Sequence, residues 1–342
     1  MMANFKKVGV AAAVATAIGA SSAAYAVQQG TPGDALLIPY VVTAGAGRLN
    51  TMISVVAVSP ANVNVGQFNT LTGTKTAESC NGRLHWFFFD KESNEVADNT
   101  FAVTCNDWVG IDFGTIVEDP ARPIPSALNV PGYMVITDNA AGDTTGSGMI
   151  LYGAAYQIRG NWATQAYIPV VPLVDSADGT VGDEVDHVGA FVANVNPVKA
   201  GMALASGQGQ RAVFSLRYYL KADAPAGDTE FVLWFPDNNA ARVNQNILVY
   251  DADERAISAT TNVPYELNVI GVGADAKEGR LITATIRDGL SETGFVAFGV
   301  ADGVGPAGAP TSRAGVAFSL IGVNGGNGDQ TQTELAHERG VQ

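Results

Sequence analysis

The stretch Arg211-Ala-Val-Phe-Ser-Leu-Arg217 predicts a β-strand that is apolar on one face and partly polar on the other. Successive side chains of a strand point to opposite sides of its sheet, so Ala212, Phe214 and Leu216 share the apolar face. Arg280-Leu-Ile-Thr-Ala-Thr-Ile286 repeats this pattern. Both stretches are typical of strands that cover a core with one face only.

Much of the remaining chain consists of short apolar runs rich in β-branched and aromatic residues, separated by turn pairs such as Asn81-Gly82 and Asp288-Gly289. One helix is predicted, at Asp183–Asn196, ending before Pro197. The predicted strands are Leu36–Val42, Thr51–Val58, Val63–Phe68, Arg83–Phe89, Phe101–Cys105, Asp107–Val117, Tyr133–Thr137, Met149–Ile158, Gln165–Val174, Arg211–Leu220, Phe231–Phe235, Asn246–Tyr250, Tyr265–Val272, Arg280–Ile286, Gly294–Gly299 and Ala314–Val323.

This arrangement predicts an all-β protein with little helix, folded as an antiparallel β-sandwich. One large sandwich and two adjacent sandwiches both fit the length of 342 residues. The predicted parts are residues 27–174 and 175–323, which can also form one continuous domain. Val171–Gly182 is the predicted junction, and a polar, frayed tail is expected at residues 324–342.

The first 26 residues are predicted to be a signal peptide. Lys6 and Lys7 precede the small-residue run Val8–Ala20, and Ala24-Tyr25-Ala26 matches a cleavage site after Ala26. The run is shorter than the roughly 20 residues of a membrane-spanning helix. We therefore expect export to the periplasm, cell surface or exterior, without a transmembrane anchor.

The two cysteines of the chain, Cys80 and Cys105, are predicted to form a disulfide. An isolated pair that reaches an oxidising compartment normally becomes a bridge, and the C-x-x-C spacing of a redox or metal site is missing from the sequence.

Charge and motif content argue against two function classes. The formal net charge is −14, whereas nucleic-acid binding needs a basic face. The sequence has only three histidines and lacks the common nucleophile and metalloprotease motifs. His85 lies inside a predicted strand and is interpreted as a core or face residue. We expect a protein that is not an enzyme, the alternative being a secreted hydrolase with dispersed carboxylates.

The densest acidic cluster is Asp175, Asp178, Asp183 and Asp186. Carboxylates on a glycine-containing loop suit Ca²⁺, although the spacing differs from that of an EF-hand. A solvated acidic loop explains the same residues. The sequence leaves both interpretations open.

The four tryptophans divide into two groups. Trp86, Trp108 and Trp234 lie in apolar runs and are predicted to be in the core. Trp162 lies in the turn-like Gly160-Asn161-Trp162 and is the predicted exposed aromatic residue for a binding surface.

Several segments together resemble a group of uncharacterised secreted or surface β-rich proteins of proteobacteria. The resemblance runs over most of the mature chain and implies an exported β-protein, without an established activity or catalytic residues. Members tend to have more cysteines in the second half, where this sequence has none around Pro264. The segments are Ala35–Tyr40, Asn50–Val55, Gly132–Ile136, Leu151–Gly153, Thr229–Pro236, Val249–Glu254, Pro264–Val269 and Gly294–Phe298.

The sequence favours an exported, non-catalytic structural or interaction protein of the cell surface, matrix or periplasm. Its expected partners are further copies of itself or other surface components. A secreted ligand- or glycan-binding module is the alternative from a second function class.

Overall fold

The computed structural model describes most of the β-rich part of the chain. The described residues are 33, 35–45, 48–58, 82–104, 106–137, 149–160, 164–174, 196–197, 212–219, 229–235, 240, 242–253, 255–271, 293–300, 315–325, 328–335 and 337–338.

Nineteen strands and one short α-helix make up the described fold. The α-helix, α1, is Phe113–Val117, and a 3₁₀ turn follows at Pro125–Ala127. The strands are β1 Ala35–Val41, β2 Leu49–Val58, β3 Gly82–Asp90, β4 Glu95–Val103, β5 Asp107–Asp112, β6 Gly132–Thr137, β7 Ile150–Arg159, β8 Thr164–Ile168, β9 Val171–Val174, β10 Asn196–Pro197, β11 Ala212–Tyr219, β12 Thr229–Trp234, β13 Gln245–Asp251, β14 Ala256–Thr261, β15 Leu267–Gly271, β16 Thr293–Val300, β17 Val316–Gly325, β18 Gly328–Leu335 and β19 His337–Glu338.

These strands form four antiparallel sheets, which we number by their place in the stack. Sheet 1 has the order β5-β2-β7-β8, and sheet 2 has the order β10-β9-β1-β6-β3-β4. Sheet 3 has the order β15-β12-β17-β18, and sheet 4 has the order β14-β13-β16-β11-β19. The all-β prediction, with little helix, is therefore confirmed.

The strands β1 and β6 of sheet 2 are covered on both faces. All seven residues of β1 and all six residues of β6 are buried. Toward sheet 1, Leu36 packs closely against Gly153. A Cβ added at Gly153 would lie only 2.8 Å from Leu36 Cδ1. Toward sheet 3, the rings of Tyr133 and Trp234 meet edge to face at 5.8 Å. Double coverage explains why these strands are apolar throughout, since neither face meets water.

Sheet 3 divides two hydrophobic cores. Val232 and Trp234 of β12 belong to the core that includes residues of sheets 1 and 2. The intervening Phe231 and Leu233 belong to the core shared with sheet 4, where Phe231 contacts Phe298 at 5.3 Å between ring centroids. Alternate residues of one strand thus serve both cores, and the sheets stack in the order 1, 2, 3, 4.

Several segments differ from the sequence predictions. The strand predicted at Asp107–Val117 ends at Asp112, where the Asp112 carboxylate accepts a hydrogen bond from the Thr115 N–H and starts α1. Ala256–Thr261 forms a strand, β14, that the sequence patterns do not predict. Gly328–Leu335 lies in the expected polar tail but pairs with β17, since backbone pairing needs no apolar side chains.

Candidate binding face

The outer face of sheet 1 carries most of the exposed aromatic surface described here. Strand register fixes its rows: Val56 of β2 lies opposite both Trp108 of β5 and Tyr152 of β7, and Met52 lies opposite Asp112 and Tyr156. We call this surface the binding face. Its residues are Met52, Ser54, Val56, Trp108, Gly110, Asp112, Tyr152, Ala154, Tyr156, Gln165 and Tyr167.

Trp108 is the largest exposed side chain of the binding face. It is 64% exposed, and its Nε1–H donates a hydrogen bond to Ser54 Oγ at 2.6 Å. The ring lies over Gly110, where an added Cβ would come within 2.9 Å of Trp108 Cη2. A neighbouring hydroxyl and a neighbouring glycine therefore hold the indole against its own sheet while leaving much of it in solvent.

A second aromatic group lies on the same face, at the β7–β8 pair. The rings of Tyr156 and Tyr167 meet edge to face with centroids 5.7 Å apart, and Tyr156 is 38% exposed. Burial raises the pKa of Tyr167, against the lowering effect of a hydrogen bond with the Val170 backbone. One tyrosine of the pair is thus anchored while the other faces solvent.

Asp112 ends β5 in a network of hydrogen bonds. Its Oδ1 accepts from Asn50 Nδ2 at 2.6 Å and from the Thr115 N–H at 2.9 Å, and Asn50 Oδ1 accepts from the Gly114 N–H at 2.7 Å. Partial burial opposes ionisation, but these hydrogen bonds outweigh it and lower the pKa of Asp112. The network fixes the end of β5 and keeps its carboxylate ionised at neutral pH.

The charged side chains at the two ends of β5 are acidic. Asp107, at the start of β5, has its pKa lowered by hydrogen bonds from the Thr104 and Trp108 backbone N–H groups. None of the residues that form the binding face, as defined above, is lysine or arginine. The field around Trp108 therefore disfavours anions.

The tryptophan predictions have mixed outcomes. Trp86 and Trp234 are buried, as predicted. The core prediction for Trp108 is wrong, because Trp108 shares the outer face of β5 with Gly110 and Asp112, while Val109 and Ile111 point inward. The alternation Trp-Val-Gly-Ile-Asp was the signal available in the sequence. Trp162 lies outside the described residues, so its predicted exposure stays a prediction.

Other predicted sites also lie outside the described residues. These are the acidic cluster Asp175, Asp178, Asp183 and Asp186, the pair Cys80 and Cys105, the cleavage site at Ala26 and the helix Asp183–Asn196. Within the described ranges, no group of three or more histidine, cysteine or acidic side chains is arranged to hold a metal ion.

His85 is buried, in agreement with its interpretation as a core or face residue. Its Nε2 lies 2.8 Å from Asp98 Oδ2 on the neighbouring strand β4, and its ring lies 3.8 Å from that of Phe87 between centroids. These contacts fix the ring inside sheet 2.

No helix in the described part of the chain has the length and apolar character needed to cross a membrane. Comparison of the chain with protein-family models, curated proteins and solved structures finds no match.

Proposed function

We propose that this chain is an exported, non-catalytic interaction protein of the cell surface, matrix or periplasm, and that it makes contact through the binding face. The observation that carries the proposal is the exposed Trp108 indole, held in place by Ser54 and Gly110. Exposed aromatic patches commonly mark interaction sites. A side chain that is already fixed loses little conformational entropy when a partner binds.

The use of the two buried carboxyl groups in the described residues, Glu266 and Asp251, supports a non-catalytic role. Glu266 accepts hydrogen bonds from the hydroxyls of Tyr133 and Ser93. Asp251 accepts backbone N–H groups from Asp253 and Arg255, and its Oδ2 lies 2.8 Å from Arg255 Nε. A glycoside hydrolase would need two carboxyl groups free to face each other across a cleft. Glu266 and Asp251 instead hold local structure together.

The predicted signal peptide and the composition support a location outside the cytoplasm. The net charge of −14 also makes nucleic acid an unfavourable partner. An exported protein of this kind would meet envelope and matrix components, which matches the expected partners of the sequence analysis.

The proposal is tested with the full chain expressed from Met1 and recovered after export. The processed protein is mixed with washed cell envelopes of the producing cells and sedimented. We expect it to begin at Val27 and to sediment with the envelopes, and we expect the Trp108→Ala variant to stay in solution.

The matched control is Leu248→Ala, because Leu248 is 39% exposed on sheet 4, at the far end of the stack. This variant should sediment like the wild type. If the wild type stays in solution, or if both variants sediment equally with it, the proposal is wrong.

A further inference from the structure

We infer that the binding face is a site for a neutral glycan, with Trp108 as the platform beneath a pyranose ring. This inference rests on the proposed function and makes its ligand class specific. The C–H groups on one side of a pyranose carry partial positive charge, and the face of an indole carries partial negative charge. Stacking therefore suits a sugar that lies flat on an exposed ring.

The orientation of Trp108 favours a flat ligand. A tryptophan that dominates a protein–protein interface usually inserts into a pocket of the partner. Trp108 instead lies along its own strand over Gly110, tied by its Nε1–H to Ser54. An indole held along its own strand in this way is suited to a flat ligand that stacks on the ring, such as a sugar.

A second contact point lies diagonally across sheet 1. Tyr156 is two strands away from Trp108, and its row is four residues farther along β2. Standard strand dimensions place the two Cα atoms roughly 16 Å apart. The Trp108 ring leans over Gly110, toward the row of Tyr156, so the aromatic groups are closer than their backbones. A ligand that touches both is a chain of several sugar units.

The charges select against acidic glycans. Asp107 and Asp112 lie at the two ends of β5, and hydrogen bonds lower the pKa of each. Exposed Tyr156 and Gln165 supply a phenol and an amide, which exchange hydrogen bonds with sugar hydroxyls without adding charge. Neutral sugars meet no repulsion here, whereas polyanions do.

The ligand class is tested with envelopes treated in two ways. Periodate cleaves the vicinal diols of glycans, and a broad protease removes exposed protein. We expect periodate treatment to abolish sedimentation of the exported protein, and we expect protease treatment to leave it unchanged. Direct binding is measured with neutral cello-oligosaccharides from disaccharide to hexasaccharide and with a neutral glycan array, with heparin as the polyanionic control.

The variants separate stacking from general stability. Trp108→Ala should weaken neutral-glycan binding about tenfold or more, with unchanged thermal unfolding, because the side chain is exposed. Ser54→Ala removes the hydrogen bond that positions the indole, so we expect weaker binding together with lower fluorescence anisotropy of Trp108. Leu248→Ala should bind like the wild type.

The outcomes distinguish this inference from the proposed function. Trp108-dependent sedimentation that survives periodate but not protease overturns the glycan inference and leaves the proposed function intact. Preferred binding of heparin over every neutral glycan also overturns the inference. Absence of any Trp108-dependent association with untreated envelopes overturns both.

Discussion

The Tyr133 hydroxyl donates a hydrogen bond to the Glu266 carboxyl group, joining sheet 2 to the residue that precedes β15 of sheet 3. Ser93, in the turn between β3 and β4, donates to the same carboxyl oxygen. Tyr133 is 1% exposed and Glu266 is 7% exposed. This buried polar contact therefore helps to fix the position of sheet 2 against sheet 3.

Removing the Tyr133 hydroxyl should destabilise the protein. Tyr133→Phe leaves the buried Glu266 carboxyl group with one hydrogen bond fewer, at a cost of about 1–3 kcal/mol in the free energy of unfolding. Urea unfolding measures this cost. The control is Tyr156→Phe on the binding face, which should change the free energy of unfolding by less than about 0.5 kcal/mol. Equal stability of the two variants would contradict the structural role of the Tyr133–Glu266 contact.

Alkaline pH should unfold the protein through its buried tyrosines. Burial and the nearby Asp251 raise the pKa of Tyr218 to about 12, and burial also raises the pKa of Tyr40 and Tyr133. A tyrosine in the unfolded chain has a pKa of about 10. Because the pKa is higher in the folded state, the stabilisation by each buried tyrosine is complete below about pH 10. It is lost as the pH rises through the folded pKa.

The order in which exposed and buried tyrosines ionise is measured by tyrosinate absorbance, together with far-ultraviolet circular dichroism of the same sample. We expect exposed tyrosines to ionise first with the β signal retained, and the buried ones to ionise together with loss of that signal. Ionisation of all the tyrosines in one early phase, with the β signal intact, would contradict it.

Acid should weaken the hydrogen-bonded junction between β5 and α1 at Asp112. Its hydrogen bonds from Thr115 and Asn50 outweigh partial burial and lower its pKa. A carboxyl group whose pKa is lowered by folding stabilises the protein at pH values above its unfolded pKa, which is about 4. This contribution is lost as the pH falls through the folded pKa. Asp112→Ala should cost about 1 kcal/mol of unfolding free energy at neutral pH, the usual value of a helix cap.

The pH dependence of that cost is the internal control. The stability difference between the wild type and Asp112→Ala should shrink as the carboxylate of the wild type is protonated. A difference that stays constant down to strongly acidic pH would assign the effect to lost packing and not to the hydrogen-bonded carboxylate.

The acidic cluster can be tested in solution although it lies outside the described residues. A calcium site at Asp175, Asp178, Asp183 and Asp186 predicts that millimolar Ca²⁺ raises the thermal unfolding temperature or the mass by light scattering, and that EDTA reverses the change. Replacing the four residues by asparagine should abolish it. A solvated loop predicts no difference between Ca²⁺ and EDTA.

Sequence patterns predict the strands of this fold better than the stacking of its sheets. Apolar runs such as those of β1 and β6 identify strands, but the same runs are compatible with any partner layer. The double burial of β1 and β6 depends on contacts between distant segments, such as Leu36 with Gly153 and Tyr133 with Trp234. Local periodicity carries no information about such pairs, so the order of the four sheets could not be predicted.

The binding face was missed for a related reason. Trp108 lies in a run that is apolar enough for a core strand, and hydrophobicity alone favours burial. Its exposure follows from the strand neighbours Gly110 and Asp112, and from Ser54 on a different strand, which holds the indole. The neighbours Gly110 and Asp112 are visible in the local sequence. The contact with Ser54 depends on the pairing of β2 with β5.

The predicted disulfide joins two residues outside the described part of the chain, Cys80 and Cys105. An isolated cysteine pair that reaches an oxidising compartment normally forms a bridge. We therefore predict a Cys80–Cys105 bridge in the exported protein.

Thiol titration of the exported protein, unfolded without reductant, should find no free thiol. The double variant Cys80→Ser/Cys105→Ser should lose about 3 kcal/mol of unfolding free energy, because the unfolded chain is no longer constrained by the loop. Reduced wild type should match the double variant, which separates loss of the bridge from an effect of the serines. Two titratable thiols in the exported protein would show that the bridge is not formed.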